Sequence, residues 1–224
     1  MRSNFDVTFD ENFINKELAD ILLKKCGSMF NQDNRRSTII LGEKDTVYSE
    51  TYSRTPVIDW ELFPELLIAK KQLEDLTSTK YNFCAIMCYP NGQAVIKKHR
   101  DKEIPKGSQI CGVSLGESRR FKLTPIRSND SPIIINLTHG SLYCILPPTN
   151  DHWLHEILPE ESLFSGTREQ TVRYSLTFRN IPNPIKIGDL KYCPALLKSG
   201  PKKGLPCNAS IQILANDYCG RHNK

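Results

Sequence analysis

The 224-residue sequence lacks any apolar run long enough to cross a membrane, so we expect no membrane partner. Its first residues, MRSNFDVTFDENF, carry acids where a secretory signal needs an apolar stretch. We therefore expect an intracellular protein, nuclear or cytoplasmic. Internal repeats and low-complexity segments are also absent, and the apolar fraction of 39% with 25% charged residues is typical of a soluble globular protein.

Eight cysteines are present, and whether we expect thiols, metal ligands or disulfides depends on the redox state of the compartment. In a reducing compartment cysteines are buried thiols or metal ligands before they are disulfides. Cys84, Cys88, Cys111 and Cys144 fall in strand-like runs, so we expect these four to be buried thiols.

The net charge of +5 is concentrated at the end of the chain. Residues 183–224 contain seven lysines and arginines against Asp189 and Asp217, which leaves residues 1–182 near neutral. A basic appendage on a neutral body indicates an anionic partner, nucleic acid first among them. A tail that only improves solubility is the open alternative.

The pattern of apolar residues predicts an α+β protein. Residues 13–26 and 62–76 have helical spacing, and Pro64 is tolerated in a first helical turn. From residue 82 onward short runs such as NFCAIMCY and QICGVSL alternate with turn residues, which is typical of a β-sandwich or barrel. We divide the chain into helices and a lid over 1–80, a β-rich core over 81–182, and an extension over 183–224.

The stretch HRDKE raises the question of a metal site. His99 and Asp101 are two residues apart, so in an extended segment both side chains point to the same side. A charged turn is the alternative, and a third ligand is needed. His155 is the best candidate, because two histidines and one carboxylate form the facial triad of non-haem Fe(II) oxygenases.

A later strand-like run, VRYSLTFR, adds two arginines on one face. Arg173 and Arg179 are an even number of residues apart and share that face with Ser175 and Thr177. Arginines directed inward are costly unless they meet an acid, and a dicarboxylate suits two guanidinium groups. An edge strand with its polar face in water is the alternative. With His99, Asp101 and His155, the run favours an iron and 2-oxoglutarate site.

Residues 81–181 resemble the AlkB family of Fe(II)/2-oxoglutarate nucleic-acid dealkylases, within it the eukaryotic DNA-repair branch. The matching stretches, in family order, are YNFCAIMCYPNG, HRDKE, GVSLGESRRF, HGSLYCILPPTNDHWLHEILP and RYSLTFR. The resemblance implies a double-stranded β-helix (jelly-roll) core buttressed by the N-terminal helices. We expect the protein to be a monomer. The resemblance implies Fe(II) ligation by His99, Asp101 and His155, and a catalytic role for these three residues and for Arg173. It also implies 2-oxoglutarate binding by Tyr89, Arg173, Ser175 and Arg179.

The resemblance also implies the substrate and the residues that read it. The activity would be oxidative demethylation of 1-methyladenine and 3-methylcytosine in DNA, with succinate, CO2 and formaldehyde as products. Glu103 would contact the exocyclic nitrogen of the base, Tyr48 and His99 would sandwich the flipped base, and Arg36 would lie near the lid. An RNA-directed demethylase and a non-catalytic nucleic-acid-binding relative stay open as alternatives.

Three departures from the family pattern bear on these expectations. Met87 and Ser175 stand where relatives carry asparagines that contact 2-oxoglutarate, so co-substrate affinity is expected to be altered. The segment KLTPIRSNDSP is short where the duplex-specialised branch has a long basic hairpin, and its only basic residues are Lys122 and Arg127. Single-stranded DNA therefore stays open as a substrate.

The tail contains four candidate zinc ligands. Cys193, Cys207, Cys219 and His222 form a Cys3His set in a basic segment too small to fold on a core of its own. A structural zinc site is the prediction, with ordinary thiols in a flexible tail as the alternative. The form of this segment resembles small zinc-binding modules of large eukaryotic DNA viruses, which suggests a viral factory as a further location.

Overall fold

The computed structural model describes residues 4–30, 36–49, 52, 55, 57–160 and 172–187, and isolated tail positions 191–192, 197–198, 203 and 210–211. Within this part, two antiparallel-rich sheets pack face to face, and two helices cover the outer face of the larger sheet. The expected α+β jelly roll is confirmed. None of the described helices is long and apolar enough to cross a membrane.

Residues at the helix ends account for where the two long helices begin and end. α1 spans Lys16–Met29, three residues later than predicted, because the Asn15 side chain caps it by accepting from the Leu18 amide. α2 spans Pro64–Thr77 with its proline in the first turn, as expected, and ends at Ser78 in the left-handed conformation. A short α3 covers Thr149–His152.

The strands match the predicted β-runs closely after residue 82 and add several before it. Those before residue 82 are β1 (Val7–Asp10), β2 (Ser37–Gly42), β3 (Thr46–Val47) and β4 (Val57–Asp59). Those of the core are β5 (Phe83–Tyr89), β6 (Ile96–His99), β7 (Ile110–Gly116), β8 (Arg119–Pro125), β9 (Ile133–Leu137), β10 (Leu142–Ile145), β11 (Trp153–Ile157) and β12 (Arg173–Arg179). Those of the tail are β13 (Ile185–Lys186), β14 (Lys191–Tyr192) and β15 (Ser210–Ile211).

The larger sheet has the strand order β1-β10-β7-β12-β5-β2-β4, and the smaller has the order β6-β11-β8-β9. β12 therefore lies in the middle of the larger sheet, between β5 and β7, and all seven of its residues are buried. This position rules out the edge strand considered as an alternative. Its inward polar side chains have no access to bulk water and must find partners inside the protein.

Alternation along β12 and β5 divides the core into two clusters. Tyr174, Leu176 and Phe178 face α1 and α2 in one cluster. On the opposite face, Phe83 and Tyr89 of β5 pack with aromatic and aliphatic residues of the smaller sheet. Because side chains alternate along a strand, the remaining β12 residues at 173, 175, 177 and 179 point into the space between the sheets, as predicted.

The expectation of four buried thiols is correct for two of them. Cys84 and Cys88 are buried thiols, as expected. Cys111 and Cys144 are instead joined in a disulfide, because they are directly opposite each other in β7 and β10 with Cα atoms 4.2 Å apart. Sequence patterning does not reveal this register, since the two residues are 33 positions apart.

Candidate active site

Two neighbouring strands of the smaller sheet bring the three predicted metal ligands together. His99 ends β6 and lies directly opposite His155 of β11, with ring centroids 4.3 Å apart. Asp101 follows two residues later, and its Oδ1 is 3.6 Å from His99 Nε2 and 3.8 Å from His155 Nε2. The three ligand atoms lie within 4.8 Å of one another, so this group could hold one metal ion.

The protonation states of these groups also suit a metal. His99 Nδ1 donates to the Lys97 carbonyl oxygen at 2.8 Å, so Nε2 is the ring nitrogen that faces Asp101. Burial lowers the pKa of His155 to about 4, so its imidazole is neutral at pH 7. Burial opposes ionisation of Asp101, but the positive charge of Arg179 outweighs it and holds the pKa of this carboxyl below its usual range.

Asp101 is fixed from two directions. Arg179 Nε donates to Oδ2 at 2.6 Å, and Arg179 Nη2 forms an ion pair with the same oxygen at 2.6 Å, which leaves Oδ1 for the imidazole side. Asn150 holds the Asp101 backbone, since its Oδ1 accepts from the Asp101 amide at 3.1 Å and its Nδ2 donates to the Asp101 carbonyl at 2.9 Å. Sequence reasoning missed Asn150, because nothing in the local PPTND turn distinguishes it from an ordinary turn residue.

Arg173 is a buried cation that has no acidic partner among the residues that the structure describes. Its side chain is 1% exposed, its Nε donates to Ser114 Oγ at 3.0 Å, and its guanidinium carbon lies 5.0 Å from the centre of the Tyr89 ring. Both Nη atoms are buried and have no hydrogen-bond partner in the described part of the chain. Burial lowers the pKa of this guanidinium, partly offset by Tyr89 and Tyr143. Two orphaned donors on a buried cation fit a bound carboxylate.

A cavity of about 550 Å³ opens over the triad. Five more of the predicted residues line it with the metal ligands: Arg36, Tyr89, Glu103, Ser175 and Arg179. Ser175 and Thr177 of β12 form part of its wall, with their hydroxyl oxygens 3.5 Å apart. This volume lies within the range of small-molecule sites, so a nucleobase and a dicarboxylate are of suitable size.

Met87 takes part in this wall through its sulfur atom. Arg36 Nη1 donates to Met87 Sδ at 3.6 Å, and the Tyr89 hydroxyl lies 4.0 Å from the same atom. The thioether therefore occupies the place between the predicted lid residue and the predicted co-substrate residue. It is a weak acceptor compared with an amide oxygen.

Tyr48 does not reach the cavity. Its side chain is 5% exposed and packs against Phe83, and its hydroxyl accepts from the Glu43 amide at 2.6 Å. Tyr52 lines the cavity instead, and its hydroxyl accepts from Arg179 Nη1 at 3.1 Å. The two tyrosines are four residues apart in an irregular segment, so sequence alone does not distinguish them.

The predicted zinc ligands Cys193, Cys207, Cys219 and His222 lie outside the described residues. The zinc site therefore stays a prediction.

Comparison with known proteins agrees with this geometry. The sequence model of the 2OG-Fe(II) oxygenase superfamily matches residues 25–179. The chain is 32% identical over 149 residues to DNA oxidative demethylase ALKBH2 of Mus musculus, covering 61% of this chain and 59% of that protein. It is 31% identical over 148 residues to alpha-ketoglutarate-dependent dioxygenase alkB homolog 3 of Bos taurus, covering 60% of this chain and 49% of that protein.

A solved structure, that of OsALKBH1, has the same fold, with a TM-score of 0.54 and 13% identity over 80% of this chain and 100% of that one. The matches to the curated relatives span about half to three fifths of their length. Fe(II) and 2-oxoglutarate are the cofactor and co-substrate that the superfamily implies, and the triad with the orphaned Arg173 fits them. This chain belongs to the 2OG-Fe(II) oxygenase superfamily and, within it, to the AlkB family.

Proposed function

We propose that this protein is a DNA repair dioxygenase that removes methyl groups from the pairing edge of adenine and cytosine, with 1-methyladenine and 3-methylcytosine as substrates. The observation that carries the proposal is the buried guanidinium of Arg173, whose two Nη atoms have no hydrogen-bond partner among the described residues. It lies on the same strand face as the residues that flank the His99–Asp101–His155 cluster. A metal triad alone fits many reactions. A triad beside an orphaned carboxylate receptor fits a 2-oxoglutarate oxygenase.

The residues of this chain would divide the work between binding and positioning. His99, Asp101 and His155 would hold Fe(II), and Arg173 with Tyr89 would bind the distal carboxylate of 2-oxoglutarate. When bound, Fe(II) with 2-oxoglutarate and O2 supplies the oxidising power that hydroxylates the N-methyl group, with formaldehyde, succinate and CO2 as products. Arg179 would keep Asp101 ionised and oriented throughout.

The base would enter the cavity only after it leaves the helix stack, because a methyl group on the pairing edge is enclosed in a duplex. Glu103 lines the cavity wall and is suited to accept from the exocyclic amine that adenine and cytosine share. We propose that Tyr52, rather than Tyr48, stacks on the flipped base opposite His99, because Tyr52 lines the cavity and Tyr48 is buried beneath it.

A preference for single strands is the second part of the proposal. The connection between β8 and β9 covers only residues 126–132, and Arg127 is its one basic residue. So short a hairpin has little surface with which to hold the opposite strand of a duplex. RNA is then an open substrate as well.

The test is turnover with Fe(II) and 2-oxoglutarate on methylated adenine and cytosine in single-stranded DNA, duplex DNA and RNA. We expect formaldehyde and succinate in equal amounts from single-stranded DNA, with His99→Ala as the blank. Glu103→Ala should slow removal from methylated adenine more than from methylated thymine, which lacks the exocyclic amine. Succinate formation without formaldehyde from any nucleic acid would contradict the proposed substrate. No succinate at all would favour the non-catalytic alternative.

A further inference from the structure

A second cavity, of about 780 Å³, lies beside the metal-site cavity. Its walls come from the end of β6, the residues after β8, and the α3–β11 corner. His99, Arg100 and Lys102 line both cavities, so one backbone segment separates them. Anything that extends beyond the first cavity across this segment enters the second.

Basic side chains dominate the second cavity. Lys98, Arg100, Lys102 and Arg127 line it, and all four are exposed, against a single acid, Asp151. We call these four residues the basic groove. Like charges gathered without matching acids repel one another, so such a cluster favours an anionic ligand.

Little in the protein neutralises the basic groove. Lys98 lies 4.0 Å from Glu156, but within the part of the chain that the structure describes, Arg100, Lys102 and Arg127 form no ion pair with a carboxylate. Arg100 Nη1 instead donates to the Asp151 carbonyl oxygen at 3.2 Å, which orients the guanidinium and leaves its other donors available. An oriented guanidinium is well suited to a phosphate.

The same alternation that builds the triad accounts for the position of the basic groove. His99 and Asp101 point toward the metal site, and the residues between and beside them, Lys98, Arg100 and Lys102, carry positive charge. Ligands and cations thus come from a single run of five residues. If one unit of an anionic polymer occupied the metal site, the negative charges of its neighbouring units would lie beside these cations.

The lining of the second cavity is suited to contact the phosphates of a nucleic acid rather than its bases. The uncharged residues that line this cavity include Ile126 and Leu154. Trp153 also lines it, but its side chain is only 1% exposed. A buried ring offers no face for a base to stack on, whereas exposed cations reach phosphates. Contacts of this kind are independent of sequence.

We propose that the basic groove binds the phosphodiester backbone next to the nucleotide whose base occupies the metal-site cavity. This inference rests on the proposed function for the identity of the polymer. It goes further by assigning a second surface, outside the metal site, to the flanking strand. An acidic protein segment is the competing occupant, and the experiment separates the two.

The test is binding of an unmodified fluorescent 12-nucleotide DNA strand by the full chain at several salt concentrations. The variant is Lys98→Gln with Arg127→Gln, because neither residue lines the metal-site cavity. The control is Lys16→Gln with Lys71→Gln, an equal charge change at exposed lysines on α1 and α2.

Loss of two phosphate contacts should lower the salt slope by about 1.4, so that between 50 and 200 mM salt the wild type loses about sevenfold more affinity than the variant. The control should bind as the wild type does, and strands of different sequence should be affected alike. Thermal melting of both variants establishes that they fold.

An unchanged affinity and salt slope in the groove variant would overturn the inference. So would competition by polyglutamate as effective as that by DNA of equal charge, because the occupant would then be any acidic chain. The binding readout needs no turnover. If no methylated substrate reacts but the groove variant binds DNA less tightly than the wild type, the proposed demethylation is wrong and the proposed role of the basic groove is supported. If turnover occurs and the groove variant binds normally, the groove alone fails.

Discussion

Replacing Asn150 with alanine would remove the two hydrogen bonds that hold the backbone of Asp101, at 3.1 Å and 2.9 Å. Each hydrogen bond of this kind contributes about 1 kcal/mol, so the pair contributes about 2 kcal/mol to keeping this segment in place. If the whole of that energy acted on the metal-bound state, the metal affinity would fall about thirtyfold. Part of it already stabilises the metal-free protein, so we expect a loss of about tenfold.

The assay is titration of the metal-free protein with Mn²⁺, which avoids oxidation during the measurement, followed by calorimetry or by the signal of free Mn²⁺. Asn136→Ala is the matched control, since Asn136 is an exposed asparagine on β9. Urea unfolding of both variants measures the share of the energy that is lost without metal. A metal affinity of Asn150→Ala within twofold of the wild type would refute the reasoning. It would mean that the Arg179 ion pair alone suffices to position Asp101.

Three further predictions concern other buried charged groups. Arg173→Lys removes the guanidinium fork, so the KM for 2-oxoglutarate in a succinate assay should rise about tenfold or more while Mn²⁺ affinity stays unchanged; equal losses of both would contradict the assigned role. Burial opposes ionisation of Glu74, but hydrogen bonds from Lys70, a backbone amide and Lys80 lower its pKa from 4.5 to about 2. Its contribution of up to about 3 kcal/mol is therefore present above pH 4.5 and lost as the pH falls toward 2, and urea unfolding of Glu74→Gln should lack this pH dependence. Arg119→Leu leaves three carbonyl oxygens without their donor and should lower the free energy of unfolding by about 3 kcal/mol, whereas a loss below 1 kcal/mol would indicate that water replaces the guanidinium.

The core strands could be predicted from sequence because turn residues mark their ends and apolar runs mark their length. The set of β12 side chains that share one face was also predictable, because side chains alternate strictly along a strand. β1, β2 and β4 were not predicted. β1 and β4 have only four and three residues, and β2 forms with β4 a parallel pair that depends on contacts that no local pattern encodes.

In the candidate site, too, the features that are local in the sequence could be predicted and those that depend on distant residues could not. His99 and Asp101 are recognisable because their spacing of two residues is a local property. The partners that orient Asp101 are not, since Asn150 and Arg179 are 49 and 78 residues away along the chain. The choice between Tyr48 and Tyr52 likewise depends on tertiary packing around Phe83.

The pairing of β13 with β3 sets a boundary for any shortened form of this protein. Ile185 and Lys186 pair with Val47 and Thr46, and the Ile187 amide donates to the Asp45 carbonyl at 2.8 Å. The start of the C-terminal extension is thus part of the wall that leads to Ser49 and Tyr52 at the cavity. A deletion that begins at residue 183 would remove this strand and disturb the active site, and its effect would be mistaken for a role of the tail. The tail should be removed after Ile187, so that the pairing of β13 with β3 is kept.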